Sequence, residues 1–301
     1  MKVVGFTFVR NAIKLDYPVM ESLASLLPLC DEVIVSVGKS DDDTLNLIKS
    51  IPSEKIKVVE SVWDDSLRTG GVLLAVETNK ALDAVPADAD WLIYLQADEV
   101  LHENDMANIK AAMEKWKNDK RVEGLLFRYK HFYGSYDYVG DSYKWYPADV
   151  RIIRNNKHIR SYRDAQGFRW YDTPPTNEDL LTGGRRLNVK WTGATVYHYG
   201  WVKHPENQQN KQRSFHKMWH EDEWLVQNVG NATEYDYTKM QLLARFTGQH
   251  PAIMHPRIKM KNWKFTYDES KRKLSPKERF ARVTTKILGY RPWDGRNYKM
   301  I

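Results

Sequence analysis

The first 130 residues alternate short apolar runs with segments in which apolar residues recur at helical spacing. The apolar, β-rich runs cover residues 3–9, 32–37, 56–59, 91–95 and 124–129. The segments with a helical period cover residues 18–29, a stretch that begins near Leu45, residues 71–84 and residues 103–116. Strands that alternate with helices of this length form βαβ units. The pattern therefore predicts an α/β fold with flanking helices around a mostly parallel central sheet.

After Tyr129 the pattern changes to aromatic residues and glycines around shorter apolar runs. Residues 150–154 and 194–199 predict further strands, and residues 206–229 predict a single helix rich in His, Gln and Trp. No repeat or low-complexity linker separates these parts, so we expect them to pack directly on one another. We divide the chain into an α/β half at 1–130, an aromatic half of the same domain at 131–205, and a helical, basic C-terminal region at 206–301.

Composition narrows the class of protein. The 42% hydrophobic and 28% charged residues are typical of a globular protein. Cys30 is the one cysteine, which excludes an intrachain disulfide and fits a reducing compartment. The first apolar run ends at Arg10, too early for a signal peptide, and no apolar window is long enough to span a bilayer. We therefore expect a cytoplasmic protein.

The positive charge of the chain is concentrated at its C-terminal end. From Arg257 onward the sequence has 14 Lys/Arg and 4 Asp/Glu, whereas the preceding residues have 32 and 35. Such a segment fits peripheral contact with the anionic inner face of a membrane, a lipid-phosphate acceptor or another partner. A solvated basic helix without a partner explains the same charge. We expect no nucleic acid as partner, because the segment has no recognition motif and the remaining chain is mildly acidic.

The most informative local feature is an apolar strand that ends in acidic residues, at residues 91–99. Asp98 and Glu99 follow the strand directly. In open α/β sheets ligands bind at the carboxyl ends of strands. Mg²⁺ or Mn²⁺ bound to a diphosphate usually takes one or two protein carboxylates. An N-cap role for Asp98 explains the residue equally well. No Gly-rich dinucleotide or P-loop motif follows the first strand, which argues against those classes.

With these motifs in order, the sequence resembles the inverting glycosyltransferases of family 2, over roughly residues 3–200. Arg10 and Asn11 resemble the pair after the family's first strand, and residues 31–44 are similar to its second strand and the following turn. Arg68, the glycines after it and Asn79 match the segment before the metal motif, and residues 95–99 look like the Asp-x-Asp motif itself. The resemblance implies a Rossmann-like GT-A fold and transfer of a sugar from a nucleotide diphosphate.

Two departures from the family pattern concern the donor site. Gln96 replaces the first acid of the metal motif, and Ser36 replaces the acid that contacts uracil in many members. The resemblance makes UDP the default donor nucleotide. Because Ser36 replaces the acid that contacts uracil, GDP stays open as the alternative. The resemblance implies that the residues of 1–130 bind the donor, with further contacts from the second half. The donor-binding candidates are Phe8, Arg10, Asn11, Ser36, Gly38, Arg68, Gln96, Ala97, Arg151 and Arg169.

The resemblance also implies a metal site and a general base. Asp98 and His198 are the candidate ligands for Mn²⁺ or Mg²⁺, although an ordinary half-buried histidine explains His198 as well. Inverting transfer needs a base for the acceptor hydroxyl. Asp164 is our first candidate and Asp149 the reserve, although a turn or an ion pair with Arg169 also explains Asp164.

The acceptor is expected to be a glycan, a lipid-linked molecule or another hydroxyl compound. Sugar rings stack on aromatic side chains, so a platform is a candidate role for four residues that core packing explains equally well: His131, Tyr133, Trp145 and Tyr146. A catalytically degenerate GT-A-like module that binds a nucleotide or carbohydrate is the alternative function, because Gln96 weakens the metal motif. A nucleotidyltransferase is a further alternative, but its Gly-rich N-terminal phosphate loop is absent.

Overall fold

A computed structural model describes residues 1–229, 232–240, 242–271, 274–288 and 296–301. Its strands are β1 Val3–Val9, β2 Glu32–Gly38, β3 Ile56–Ser61, β4 Trp91–Tyr94, β5 Glu99–Leu101, β6 Gly124–Tyr133, β7 Ser135–Gly140, β8 Ala148–Arg154, β9 Ile159–Ser161, β10 Phe168–Trp170, β11 Arg185–Trp201, β12 Leu243–Arg245 and β13 Tyr298–Met300. Its α-helices are α1 Val19–Leu26, α2 Thr44–Lys49, α3 Val72–Asp83, α4 Met106–Trp116, α5 Asn177–Thr182, α6 Pro205–His216, α7 Asp222–Asn228, α8 His255–Lys259 and α9 Pro276–Leu288.

The central sheet has the strand order β3-β2-β1-β4-β8-β6-β11-β10-β9. The first four strands pair in parallel, as the alternation of strands and helices predicted. Beyond them β8 lies antiparallel between β4 and β6, and β10 and β9 continue antiparallel from β11. The predicted α/β class is confirmed, and a parallel half joined to a mixed half fits a GT-A-like fold. The prediction of a mostly parallel sheet is wrong, because the aromatic half adds strands by antiparallel pairing.

Helices cover both faces of the parallel half, because alternate strand residues point to opposite faces. On one face Leu23 of α1 and Ile109 of α4 pack in a core that includes Val33. On the other face Ala81 of α3 packs with Phe6 in a second core. Strands β1 and β4 are direct neighbours, so the loops that follow them open side by side at one edge of the sheet.

Strand β11 begins well before the predicted run at residues 194–199. Gly193 has a φ of 81°, and the Thr192 hydroxyl donates to the Leu126 carbonyl at 2.9 Å. The pairing with β6 shifts register at this point, which marks a β-bulge. Because the bulge interrupts the alternation of residues between the two faces of the sheet, the sequence pattern did not predict the first half of β11.

The helix predicted over residues 206–229 is wrong in its continuity, because α6 ends at His216 and α7 begins at Asp222. The Arg68 guanidinium donates to the carbonyls of Lys217 and His220 at 2.8 and 2.7 Å. The Gly71 amide donates to the Met218 carbonyl at 3.3 Å. Arg68 and Gly71 thus satisfy carbonyls that a continuous helix would use internally, and the chain turns here.

Candidate functional site

A cleft of about 1360 Å³ opens at the carboxyl ends of β1 and β4. The last two residues of β1 and the two that follow it, Phe8 to Asn11, form one side of it, and Gln96 to Asp98 after β4 form its floor. Asp149 and Asp164 of the aromatic half line the opposite side, together with the α6 residues from Asn210 to His216. The cleft therefore lies at the carboxyl ends of the strands, which is where open α/β sheets bind their ligands.

The two acids that follow β4 have different surroundings. Glu99 is fully buried and receives two hydrogen bonds of 2.8 Å from the Arg151 guanidinium. Arg151 is itself 1% exposed and also bonds Asp149 at 2.8 Å. The Tyr129 hydroxyl donates to Glu99 at 2.8 Å. Glu99 and Arg151 therefore form an internal ion pair beneath the cleft, which leaves Asp98 as the acid of this motif that faces the ligand space.

Asp98 lies in a small polar cluster on the floor of the cleft. The Lys211 ammonium, from α6, donates to Asp98 Oδ2 at 2.8 Å and to the Gly200 carbonyl at 2.9 Å. Burial disfavours the charged carboxylate, but the positive charge of Lys211 outweighs burial and lowers the pKa of Asp98 well below its usual range. Burial likewise opposes the charge of Lys211, yet the attraction of Asp98 raises the pKa of this lysine. Both groups are charged at neutral pH.

The predicted partners Asp98 and His198 are brought together. Asp98 Oδ1 lies 3.7 Å from His198 Nε2, which is longer than a hydrogen bond. A Cβ atom at Gly200 would lie 2.6 Å from both Asp98 Oδ2 and His198 Nε2. Glycine at this position therefore keeps open the space beside the two side chains.

A second histidine determines which nitrogen of His198 faces Asp98. His131 Nε2 lies 2.8 Å from the Tyr146 carbonyl, and His131 Nδ1 lies 3.0 Å from His198 Nδ1. Burial, with a smaller effect of His198, lowers the pKa of His131 to about 3. Burial also lowers the pKa of His198, against the opposing effect of Asp98. Both rings are therefore neutral at pH 7.

The chemistry of this cluster fits a divalent cation. A carboxylate oxygen and an imidazole nitrogen face each other without a hydrogen bond between them, and a carboxylate and an imidazole are a suitable pair of ligands for Mn²⁺. Among the residues that the structure describes, no group of three or more His, Cys, Asp or Glu side chains could hold a metal. Asp98 and His198 would thus supply two ligands, and the remaining positions would fall to ligand oxygens and water.

The donor-side candidates occupy different positions around the cleft. Arg10 lies over the Trp63 ring at 5.3 Å and bonds Asp65 at 2.6 and 3.2 Å. The Asn11 side chain accepts from the Asp41 amide at 2.7 Å, and Asn11 has a φ of 56°. The cleft is lined by Phe8, Arg10, Asn11, Arg68, Gln96, Ala97 and Arg151.

Three donor-side candidates do not line the cleft. Ser36 is fully buried in β2, and its hydroxyl has no hydrogen-bond partner among the described residues. Gly38 lies beneath the Trp63 indole, so that a Cβ atom there would be 2.3 Å from Trp63 Nε1. Arg169 donates a hydrogen bond of 3.4 Å to the Tyr162 hydroxyl. These three donor-side predictions therefore do not fall on the surface of the cleft.

The two candidate bases differ in how many partners they have. Asp149 is 3% exposed, and its oxygens accept from the Val150 amide, Asn297 and Arg151 at 2.8 to 2.9 Å. Asp164 is half-buried and accepts a hydrogen bond of 2.7 Å from Gln166. Burial raises the pKa of both carboxyls. Arg151 partly offsets this rise for Asp149, and the hydrogen bond from Gln166 partly offsets it for Asp164.

Asp164 lies on a loop with unusual backbone geometry. Arg163 and Ala165, on either side of it, have φ values of 52° and 58°. Non-glycine residues rarely adopt this region, and such residues cluster at functional sites. Gln96 donates to the Ala165 carbonyl at 3.4 Å, so the residue that replaces the first motif acid connects the floor of the cleft to this loop.

Of the four acceptor-side candidates, Tyr146 alone lines the cleft, and it is 43% exposed. His131 is buried and stacks on Trp145 with ring centroids 5.0 Å apart. Tyr133 is 1% exposed and packs in an aromatic cluster with Tyr237. Trp201, which the sequence did not single out, also lines the cleft.

Sequence reasoning also missed Lys211 and Gly200. Lys211 lies 113 residues from Asp98 along the chain, within a helix of mixed polar residues, so no local pattern distinguishes it from a surface lysine. Gly200 follows the β run that contains His198, and a glycine so close to a candidate ligand was the available signal.

Comparison with known proteins gave similar solved structures at low sequence identity. No family model and no curated protein matches the chain. The structure of TarS from S. aureus has 14% identity and a TM-score of 0.41, and the match covers 77% of this chain and 41% of TarS. The chain thus matches less than half the length of TarS.

Two further structures belong to different enzymes. The 4-diphosphocytidyl-2C-methyl-D-erythritol synthase of Anaerococcus prevotii has 10% identity and a TM-score of 0.37, with 72% of this chain and 95% of that chain covered. Glucosyl-3-phosphoglycerate synthase of Mycobacterium tuberculosis, in complex with Mn²⁺, UDP and glucosyl-3-phosphoglycerate, has 17% identity and a TM-score of 0.29, with 44% of each chain covered. At these sequence identities and TM-scores, no function is transferred from these enzymes to this chain.

Proposed function

We propose that this protein is a metal-dependent inverting glycosyltransferase that moves a hexosyl group from a nucleotide-diphosphate sugar to a hydroxyl acceptor. The observation that carries the proposal is the pair of Asp98 Oδ1 and His198 Nε2, which face each other 3.7 Å apart on the floor of the cleft. Together with Lys211 they provide a place where the charge of a diphosphate can be neutralised.

The residues around the floor have separable tasks. Asp98 and His198 would hold Mn²⁺ or Mg²⁺, which when bound supplies positive charge to the departing nucleoside diphosphate. Lys211 adds a fixed cation at the same place, and such preorganised charge favours the transition state in which the leaving group becomes more negative. The nucleoside end of the donor is assigned to the side of the cleft formed by Phe8, Arg10 and Trp63, with UDP as the default nucleotide.

We assign the general base to Asp164 because its carboxylate faces the cleft with one side-chain partner, Gln166. A general base must be ionised at working pH so that it can accept a proton in the reaction. One of its oxygens must also be free to contact the acceptor hydroxyl. Both oxygens of Asp149 are engaged by Arg151, Asn297 and the Val150 amide. The acceptor, a glycan or a lipid-linked hydroxyl compound, is assigned to the side near Tyr146 and Trp201.

A thermal-shift panel of nucleoside diphosphates tests this function. At a concentration about 100-fold above Kd, the correct nucleotide should stabilise the fold by about 2.7 kcal/mol, and the stabilisation should need Mn²⁺ or increase with it. UDP is expected to give the largest effect and GDP the next. Mn²⁺ with inorganic phosphate is the control. No response to any nucleotide would exclude the proposed donor site.

Binding without turnover is a distinct outcome of the same work. Gln96 in place of the first motif acid is the observation that favours a degenerate binding module. A stabilising nucleotide whose sugar derivatives are neither hydrolysed nor transferred, across a panel of acceptors, would establish that alternative function.

We also propose that α9 contacts an anionic membrane surface. The helix is fixed to the domain by Glu278, which accepts from the Ser142 hydroxyl at 2.7 Å, whereas Val283 and Ile287 are 53% and 74% exposed. Lys277 and Arg279 are also exposed, so the helix presents both apolar and basic side chains. In the described part of the chain no helix is both long and apolar enough to cross a bilayer.

Replacing both Val283 and Ile287 with Ser should weaken binding to phosphatidylglycerol vesicles by about tenfold, because two apolar side chains no longer enter the lipid interface. Vesicle co-sedimentation measures the effect. Val62→Ser, which changes a residue 72% exposed elsewhere, is the matched control and should bind like the unchanged protein. Equal binding of the double variant and the control would refute the contact.

A further inference from the structure

The hydrogen bonds of His131 determine the protonation of His198. The Tyr146 carbonyl can only accept, so His131 Nε2, 2.8 Å away, carries the proton of that ring. In a neutral imidazole the other nitrogen is then an acceptor. His131 Nδ1 lies 3.0 Å from His198 Nδ1, so His198 Nδ1 must carry a proton and donate it. His198 Nε2 is left with a lone pair directed toward Asp98.

We propose that His131 is a positioning residue that holds His198 in its Nδ1–H tautomer, so that Nε2 is available to a cation shared with Asp98. The inference extends the proposed function, because it concerns the same cation site. His131 does not itself reach the ligand space, since it is 4% exposed. Its effect on the cation is exerted through His198, as is common for residues that hydrogen-bond the histidine ligand of a metal.

The alternative tautomer of His198 would have a different effect on the cation site. If His198 carried its proton on Nε2, the natural partner would be Asp98 Oδ1, 3.7 Å away in the present arrangement. A small movement would close that distance to a hydrogen bond with a carboxylate, which is stronger than one between neutral groups. Both groups would then be engaged with each other and unavailable to a cation. The hydrogen bond to His131 prevents this hydrogen bond between His198 and Asp98, because it keeps the proton of His198 on Nδ1.

The surroundings of His131 fix the ring in the orientation that the chain of hydrogen bonds requires. It stacks between Tyr129 and Trp145, with interplanar angles of 22° and 25° and centroid distances of 5.2 and 5.0 Å. His131 and His198 are partners in the parallel pairing of β6 and β11. The sheet register therefore places the two rings side by side, and the stacking prevents His131 from turning its Nε2–H away from Tyr146.

Lys211 has the corresponding task for the carboxylate. Its ammonium holds Asp98 Oδ2 at 2.8 Å and is anchored by the Gly200 carbonyl at 2.9 Å. The carboxylate plane is therefore fixed with Oδ1 on the side of His198. Each of the two ligands is thus oriented by a hydrogen bond to an atom that faces away from the cation.

Nuclear magnetic resonance of histidine nitrogens tests the tautomer directly, without metal or nucleotide. Long-range ¹H–¹⁵N spectra of the unchanged protein, assigned with His198→Gln, should show His198 protonated on Nδ1. His131→Phe preserves the stacking but removes the acceptor, and should move His198 to the Nε2–H form. His131→Asn places an amide oxygen near the position of Nδ1 and should restore the Nδ1–H form.

Affinity for Mn²⁺ alone, measured by electron paramagnetic resonance of free Mn²⁺, provides the second readout. His131→Phe should weaken binding by about 10- to 100-fold, and His131→Asn should stay within a few-fold of the unchanged protein. An Nε2–H tautomer in the unchanged protein, or equal Mn²⁺ affinity in both variants, would overturn the inference. The spectra of the unchanged protein decide the point even if a variant does not fold.

These outcomes are separate from those of the proposed function. If no nucleoside diphosphate stabilises the protein while the tautomer and the Mn²⁺ affinities are as expected, the cation site stands and the sugar-transfer proposal fails. If nucleotides bind and His198 is protonated on Nε2, the transferase proposal stands and the role of His131 fails.

Discussion

Asp98→Asn is expected to reduce kcat/KM for sugar transfer by on the order of 10³-fold and to abolish nucleotide-dependent binding of Mn²⁺. The change keeps the size of the side chain but removes the negative charge that would hold the cation. Asparagine can still accept a hydrogen bond from Lys211, so the fold should be retained. Initial rates with the donor identified by thermal shift, together with calorimetric titration of Mn²⁺, measure the two effects.

Two controls separate the loss of charge from a loss of structure. Asp88→Asn changes an acid whose side chain is 72% exposed and pairs with Lys2, and it should leave transfer unchanged. Thermal unfolding of Asp98→Asn should remain cooperative, because Lys211 keeps its bond to the Gly200 carbonyl. Full turnover in Asp98→Asn would show that the floor of the cleft is not the catalytic centre.

Asp164→Asn is expected to lower kcat by about 10² to 10⁴-fold, while the affinity for the donor nucleotide changes little. An amide has the shape of the carboxylate but cannot take the proton of the acceptor hydroxyl in the transition state. Single-turnover rates and nucleotide binding, measured on the same sample, distinguish these two quantities.

The pH dependence gives an independent check on the same residue. A general base acts when ionised, and burial raises the pKa of Asp164 above its ordinary value. The rate should therefore fall as the pH drops through this raised pKa, at a higher pH than for an exposed aspartate. The acidic limb should be absent from the residual rate of Asp164→Asn.

Asp149→Asn is the matched comparison, because Asp149 lines the same cleft. Its carboxylate is the partner of the fully buried Arg151, and loss of that charge should lower the melting temperature of the protein. Transfer measured below the melting temperature should fall less than in Asp164→Asn. If Asp149→Asn instead keeps its stability and loses kcat, the base is Asp149.

The buried pair of Glu99 and Arg151 explains how neighbouring acids acquire different functions. Asp98 and Glu99 are adjacent in sequence and both ionisable, yet Glu99 is fully buried in β5 with its charge matched by Arg151 at 2.8 Å. A buried carboxylate without such a partner would be strongly destabilising. Arg151, a donor-binding candidate from the sequence, is therefore paired with Glu99 and Asp149.

The amino-acid sequence by itself determined the α/β class and the place of the cleft. Periodic apolar residues specify strands and helices locally, and the acid after the apolar run of β4 marked the floor of the site, because parallel strands direct their carboxyl ends to one edge. The pairing of Asp98 with His198 was also anticipated, although from a family resemblance and not from a pattern in the residues.

Only the tertiary structure decided which polar residues meet. Antiparallel insertion of β8, the bulge at Gly193 and the break between α6 and α7 each depend on contacts between distant segments, which local periodicity does not encode. The same holds for Lys211 beside Asp98, since side chains 113 residues apart become neighbours only when the chain has folded. Burial and ion pairing then determine which of these groups are charged, because desolvation and nearby charges depend on the complete surroundings of each group.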